Sequence, residues 1–425
     1  MTLALGAAGA AAALGGCGKG GSSGGEGQTT ELSFTWWGND VLSKQTAAVI
    51  DQFQKAHPEI KIAPQPGEWS SYWTKLSTQV AGNTAPDVIN MDLAYIAEYG
   101  GRGALLDLSQ QAALDTKTLD PGAVTSGTYD GKLYGISTGQ NAYTLFANPT
   151  LFKAAGVSLP DDDTWTWDDY RSIAAKITKA TGGKVHGTSY GVNDANLKVW
   201  CRQHGEELYA NDGTVGASAA TLTSWFDNAK ALLDSGGGPA ADAFVEDITA
   251  SEEQTLFGTK KTAMAWWWSN QLGSLTSATG SPITLLKLPS QTGRSADSGM
   301  YYKPTMFWSA SSRTKHPEQA AQFINYLVNT VEAGKVLLAD RGIPVNSQVL
   351  HAVSSAFSKA DQTSMAFLEK IRPDIKSTPP VPPQGTSTVG GVVLQRYVTD
   401  VLFGKISSAQ AADKLRAEIE GLIVH

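Results

Sequence analysis

Aromatic and acidic side chains gather in this chain where strands should end. Trp36, Trp37 and Asp40 close an apolar run that starts at Leu32. Glu68 and Trp69 follow a Pro-Gly pair, and Asp92 ends the run 86–92. Further on, Ala265-Trp266-Trp267-Trp268-Ser269-Asn270 sets three indoles in a row, more than one strand face can bury. An indole offers a wide apolar face and one fixed donor. Carboxylates and amides supply partners around an edge, and charged groups make the stronger hydrogen bonds. Together they suit a ring with apolar C–H faces and a rim of hydroxyls, which is the chemistry of a sugar. Neighbours on a strand alternate, so one of Trp36 and Trp37 should point into the core and the other outward. Asp40 could equally cap the following helix, and Glu68 and Trp69 could equally lie in a solvated loop.

Little here points to catalysis. Gly101-Arg102-Gly103 does not complete a dinucleotide fingerprint, and neither a Gly-x-Ser-x-Gly hydrolase elbow nor a Walker loop is expected. The six His residues are dispersed with no HExxH-type pair, so neither a metal nor a cofactor is expected. Asp161-Asp162-Asp163, Glu206-Glu207 and Glu252-Glu253 could supply the two carboxylates of a glycoside hydrolase, but acidic runs are usually solvated surface. A glycoside-active enzyme, or a carbohydrate-binding surface lipoprotein unconnected with transport, is therefore the alternative reading. Net charge is -7 with Lys and Arg scattered, which argues against a nucleic-acid partner.

Residues 2–16 form an uncharged run rich in Ala, Leu and Gly. It is too short to span a membrane and has the length of a signal-peptide apolar region. It ends Leu14-Gly15-Gly16-Cys17, which resembles a bacterial lipobox. That resemblance implies a diacylglycerol on the Cys17 thiol and cleavage before it. Residues 18–28 are almost pure Gly and Ser, a flexible coil suited to holding a folded body off a membrane. With Cys17 so used, no disulfide is expected, and Cys201 reads as a small buried residue.

Periodicity gives the elements that would position the candidates. Residues 31–37 alternate as a strand. Residues 43–57 place Ala47, Ile50, Phe53 and Gln54 at helical spacing before Pro58. Residues 60–63 read as a second strand, 70–81 as a second helix and 86–92 as a third strand. This β-α-β-α-β order implies parallel strands whose ligands lie beyond their carboxyl ends. Residues 129–136 read as a hairpin about Asp130-Gly131. A strand is expected at 143–148, and helices at 167–178 behind a Thr166 cap, 317–329 and 408–422. A second α/β block should extend to about Pro289.

Several of these runs, in order, resemble the carbohydrate-type extracellular solute-binding proteins of ABC importers, the maltose-binding-like family. They are Trp36-Trp37-Gly38-Asn39-Asp40, Ala85-Pro86-Asp87-Val88, and the stretch from Tyr129 to Ile136. Next come the stretch from Asn148 to Gly156, Trp165-Thr166-Trp167-Asp168-Asp169, and the stretch from Phe257 to Met264. Arg341-Gly342-Ile343-Pro344 and Gly404-Lys405-Ile406-Ser407 complete the likeness, which covers residues 31–425.

The resemblance implies an α/β, two-lobed periplasmic-binding-protein fold of type II with a hinge. Residues 1–16 would be the signal peptide and 17–30 the anchor and tether. Lobe one would be 31–141 plus 303–346, and lobe two 142–302 plus 347–425. By the same resemblance Gln140 and Asn141 lie at the first crossing, and Trp200 sits on a helix that reaches the cleft. Trp200 could equally be helix core. Trp267 and Trp268 fall where the family places an aromatic platform. Tyr302, Trp308 and Arg341 are further candidates, and Arg341 leaves a glycerol-phosphate-type anion open. The chain is then expected to be a non-catalytic, monomeric receptor, lipid-anchored outside the cell. It would close on a mono- or oligosaccharide and pass it to ABC permease subunits.

Overall fold

The computed structural model describes residues 29–38 and 40–424; Asn39 and the side chains of Asp40, Val41 and Ser70 lie outside that description. The expected signal peptide, Cys17 and residues 18–28 of the tether lie outside it too. The chain opens with β1 (Thr30–Trp37), α1 (Asp40–Ala56), β2 (Ile60–Gly67), α2 (Trp69–Ala81), β3 (Val88–Met91) and α3 (Leu93–Gly101). As the pattern predicts, β1 pairs in parallel with β2 and with β3. β2 runs past the expected end at Ala63 through Pro64 and Pro66. It lies at the sheet edge, where proline is tolerated.

Short strands follow: β4 (Thr128–Tyr129), β5 (Lys132–Leu133) and β6 (Ile136–Ser137). Asp130 and Gly131 turn the β4–β5 hairpin with φ of 49° and 72°, the left-handed pair a two-residue turn requires. The later strands are β7 (Gln140–Ala147), β8 (His186–Thr188), β9 (Thr262–Trp268), β10 (Thr284–Leu286), β11 (Tyr302–Pro304) and β12 (Phe307–Ala310). Two five-stranded sheets result. The first has the order β2-β1-β3-β12-β6; the second has the order β10-β7-β9-β8, with β11 added against β7. The expected helices are present at Trp167–Ala180, Pro317–Asn329 and Ser408–Leu422, the first with a Thr166–Asp169 capping box.

Each sheet has its own apolar packing. One face of the first sheet buries Phe34, Trp36 and Trp308 against Phe53 and Phe323 of flanking helices. The other buries Ile89, Met91 and Phe307 against Tyr72, Leu76 and Ile96. The second sheet is the centre of a separate core that includes Leu145, Phe146, Met264, Trp225 and Leu415. Such separation is what allows two lobes to move as bodies.

Three passages of backbone connect the sheets, and they pair with one another. Gln140 N donates to Ile343 O at 2.8 Å and Ile343 N returns a bond to Gln140 O at 3.1 Å. Thr305 N donates to Gly139 O at 2.9 Å, and Thr138 N to Met306 O at 2.9 Å. This closeness excludes side chains at two glycines. A Cβ on Gly139 would sit 2.4 Å from Arg341 O, and one on Gly342 would sit 2.1 Å from Thr305 Oγ1. Gly342 also holds φ at 90°, which favours glycine. Gly139→Ala should therefore cost about 1–3 kcal/mol through overpacking. Urea unfolding of the two proteins side by side checks this, and equal midpoints would contradict it.

Candidate functional site

On the first lobe, indoles and phenols meet at the carboxyl ends of β1 and β3. Trp37, the last residue of β1, is half-buried, and its ring centroid lies 5.1 Å from Trp69, 5.0 Å from Tyr72 and 5.4 Å from Trp73. Trp69 and Trp73 stand one turn apart on α2, and Tyr95 on α3 stacks on Trp73 at 3.8 Å and 17°. Trp69 is 49% exposed, which is unusual for an indole inside an aromatic cluster. Asp92 precedes α3 and caps it, accepting from Ala94 N at 2.9 Å. Burial first, then the charges of Asp92 and Glu98, raise the Tyr95 hydroxyl above its ordinary pKa. Glu68 is exposed and precedes α2 without a side-chain capping bond. Asp40 opens α1, and its side chain lies outside the described residues.

On the second lobe, strand register sorts the candidates by face. Tyr143 pairs with Trp268 and Thr144 with Trp267 across β7 and β9, while Asn141 pairs with Lys303 across β7 and β11. Alternation then puts Asn141, Tyr143, Trp268 and Lys303 on one face, and Gln140, Tyr302 and Trp267 on the other. Trp267 and Trp268 therefore cannot form one platform, contrary to the expectation that treated them together. The face with Trp268 meets the start of the helix Asp194–Gln203. Lys198 Nζ donates to Asp194 there at 2.8 Å, and the Lys303 ammonium lies 5.1 Å from the Trp268 ring centroid. Burial pushes the Asp194 carboxyl up, but Lys198 and then Lys303 outweigh it and leave it below its ordinary range. Asn141 donates to Asn270 Oδ1 at 2.9 Å, while its own buried Oδ1 has no partner among the described residues.

The opposite face carries a groove of about 480 Å³ walled by Asp120, Gln140, Tyr302 and Arg372. Gln140 Nε2 donates to Asp120 there at 2.9 Å, and Tyr302 donates to Leu368 O at 2.7 Å. Four other candidates are interior. Trp36 and Trp308 are 2% and 1% exposed and pack around Phe34. Trp200 is the helix-core residue that the alternative allowed, packed on Trp167 at 5.0 Å with Nε1 donating to Ser224. Arg341 is 2% exposed; its guanidinium lies 4.9 Å from the Trp308 ring centroid and donates to Thr46 Oγ1 at 2.7 Å. Burial lowers its pKa to about 10.

Two features bear on catalysis. Gly187-Thr188-Ser189-Tyr190-Gly191 has the Gly-x-Ser-x-Gly spacing of a hydrolase elbow. Ser189 is 8% exposed, and no histidine bonds its hydroxyl among the described residues. Both glycines have packing reasons instead: a Cβ would meet Ala174 O at 2.1 Å or Asn196 Nδ2 at 2.7 Å. The acidic runs are committed to structure as well. Asp162 accepts from Lys370 at 2.7 Å, Asp163 from Lys287 at 2.7 Å, and Glu207 from Arg202. Glu206 accepts from Ser218 N, and Glu252 from Ser274.

Sequence reasoning missed Trp73, Tyr95, Asp194, Lys198 and Lys303. Trp73 had a signal, since it lies four residues after Trp69 on one helix face. The charged three had none, because lone Lys and Asp residues read as ordinary surface.

Comparison with known proteins agrees with this arrangement. The bacterial extracellular solute-binding protein family matches residues 48–366. An arabinooligosaccharide-binding protein of Bacillus subtilis is 25% identical over 74% of this chain and 72% of its own. The maltodextrin-binding protein MdxE of Bacillus subtilis is 24% identical over 78% and 76%. A solved family 1 extracellular solute-binding protein from Alicyclobacillus acidocaldarius superposes with a TM-score of 0.73 at 32% identity, over 93% of this chain and 98% of that one. With its two sheets, its paired crossings and a match over three quarters of its length, this chain belongs to the bacterial extracellular solute-binding protein family.

Proposed function

We propose that the chain captures a sugar or oligosaccharide between its lobes and delivers it, unaltered, to the transmembrane subunits of an ABC importer. The observation that carries this reading is the half-exposed aromatic cluster Trp37–Trp69–Trp73–Tyr95 at the strand ends of the first lobe. Planar rings of this kind cover the apolar faces of a sugar, and the second lobe supplies the hydroxyl partners. Trp268, Asn141 and Asp194 occupy the cleft side of the second sheet in this reading. The unpaired Asn141 oxygen accepts a ligand hydroxyl there. Glu68, Asp92 and Asp40 edge the first lobe. The oligosaccharide-binding names of two relatives favour the same ligand class.

Lobe one comprises 31–141 plus 303–346 and lobe two 142–302 plus 347–425, with the three paired passages as the hinge. Closure follows because a ligand favours the closed state only through contacts with both lobes. The protein works as a monomer outside the cell, held to the membrane by lipid on Cys17. Among the described residues no helix is long and apolar enough to cross a membrane.

A thermal-shift screen with arabino- and malto-oligosaccharides, followed by chromatography of the recovered sugar, tests the reading. A ligand at a hundredfold excess over Kd should stabilise the fold by about 2.7 kcal/mol and be recovered intact. Turnover of the glycan would overturn it. Trp69→Ala and Trp268→Ala should each weaken binding about tenfold or more, whereas Trp267→Ala should leave it within about twofold. The reverse pattern would move the cleft to the other face. Cys17→Ser, expressed with its leader in a bacterial host, should shift the protein from the membrane to the soluble fraction. Unchanged membrane retention would dismiss the anchor.

A further inference from the structure

Beside Trp268 a half-buried cation stands without a carboxylate in contact among the described residues. Lys303 lies on the hinge strand β11, half-buried, with its ammonium 5.1 Å from the Trp268 ring centroid. Among the described residues the ammonium makes one hydrogen bond, a long one of 3.3 Å to the carbonyl of the next residue, Pro304. No carboxylate lies within 4.0 Å of it among the described residues. Its charge acts on the Asp194 carboxylate, which Lys198 already holds at 2.8 Å. Lys198 is thus in contact with this carboxylate, while Lys303 acts on it only at longer range. Three residues further along the same passage, Met306 touches the Arg341 guanidinium, which is buried and has no carboxylate partner among the described residues. The neighbouring Asp340 instead accepts from Gln45.

A half-buried ammonium against an indole is desolvated on one side, and the ring holds it by cation–π attraction. Its remaining donors are then directed and poorly hydrated, the condition in which a carboxylate makes a strong charge-assisted bond. Neutral hydroxyls would not require an excess cation at this point. We propose that the ligand is an acidic carbohydrate, and that a sugar carboxylate pairs with Lys303 on the Trp268 side of the cleft. This rests on the cleft assignment made above and narrows it to a substrate class. Trp268 acts here as a positioning residue that aims the ammonium.

The test uses the full folded chain and matched pairs of uronate-containing oligosaccharides. The probes are galacturonate, glucuronoxylan and alginate di- to tetrasaccharides, each beside its carboxyl-reduced neutral counterpart, titrated by calorimetry. At least one acid should bind at least about tenfold tighter than its reduced partner, and added salt should weaken the acid more than the neutral sugar. Lys303→Gln should shrink that gap to about twofold, while Lys303→Arg should keep most of it. Circular dichroism melts of both variants without ligand check that each is folded. Equal or tighter binding of the neutral partner would overturn the inference and leave sugar capture standing. So would a Lys303→Gln variant that keeps the full gap. Failure of every acidic and neutral oligosaccharide to bind would remove both the inference and the reading beneath it.

Discussion

The two sheets of this protein are joined through a narrow ribbon of backbone. Three passages run between the sheets, and a buried passage must satisfy its own N–H and C=O groups. They do so by bonding to one another: Gln140 with Ile343, Thr305 with Gly139, Thr138 with Met306. That pairing requires close approach, and glycine at 139 and 342 makes it sterically allowed. It also fixes the direction in which β7 and β11 enter the second sheet. Because side chains alternate, the ribbon decides which residues of β7, β9 and β11 look toward one side of the hinge and which toward the other.

The two cores on either side of the ribbon are separate, so bending it does not open either of them. Other stretches cross between the lobes as well. The segment after Asp374 leaves the second lobe under the hold of Arg202, whose Nη2 donates to Ser377 O and Oγ at 3.0 Å. Val381 then packs against the first lobe beside Tyr72 and Tyr99, and Val424 N secures Gln384 O at 3.1 Å. The start of this strap is fixed more firmly. Lys287, itself buried, pairs with Asp163 and with Asp374 at 2.7 Å each, binding the end of one segment to the loop of another. Buried pairs of this kind contribute little net stability but penalise any arrangement that leaves one charge alone.

Local pattern was enough to read the elements of the first lobe. Alternation separated Trp36 from Trp37, and helical spacing located α1, α2 and the helix Pro317–Asn329. Side-chain direction beyond that depended on register with partners far along the chain. Nothing local distinguishes Trp267 from Trp268; pairing with Thr144 and Tyr143, more than a hundred residues earlier, separates them. Trp308 and Arg341 are candidates only through the family resemblance. They are interior because β12 lies between β3 and β6, and Arg341 folds back onto Trp308. Trp200 is taken by Trp167, thirty-three residues upstream on another helix. The Gly-x-Ser-x-Gly spacing at Gly187 shows the converse: a pattern of apparent chemistry explained by close packing against Ala174 and Asn196.

The lobes bring unlike surfaces to the cleft, and that asymmetry bears on how selection couples to closure. The first lobe's aromatic cluster is preformed, ring against ring, and gives affinity for any flat apolar face. Such contacts exist in open and closed forms alike, and alone they cannot shift the balance between them. Discrimination must come from groups engaged only when the second lobe arrives. Lys303 lies on β11, beside the paired passages, so on the proposal made above a ligand able to satisfy it would bias the hinge as well as the site. A ligand that fills the aromatic face but leaves the ammonium unpaired gains little from closing. On that proposal, the residue that reads the ligand's charge would also be the one through which the closed state is chosen.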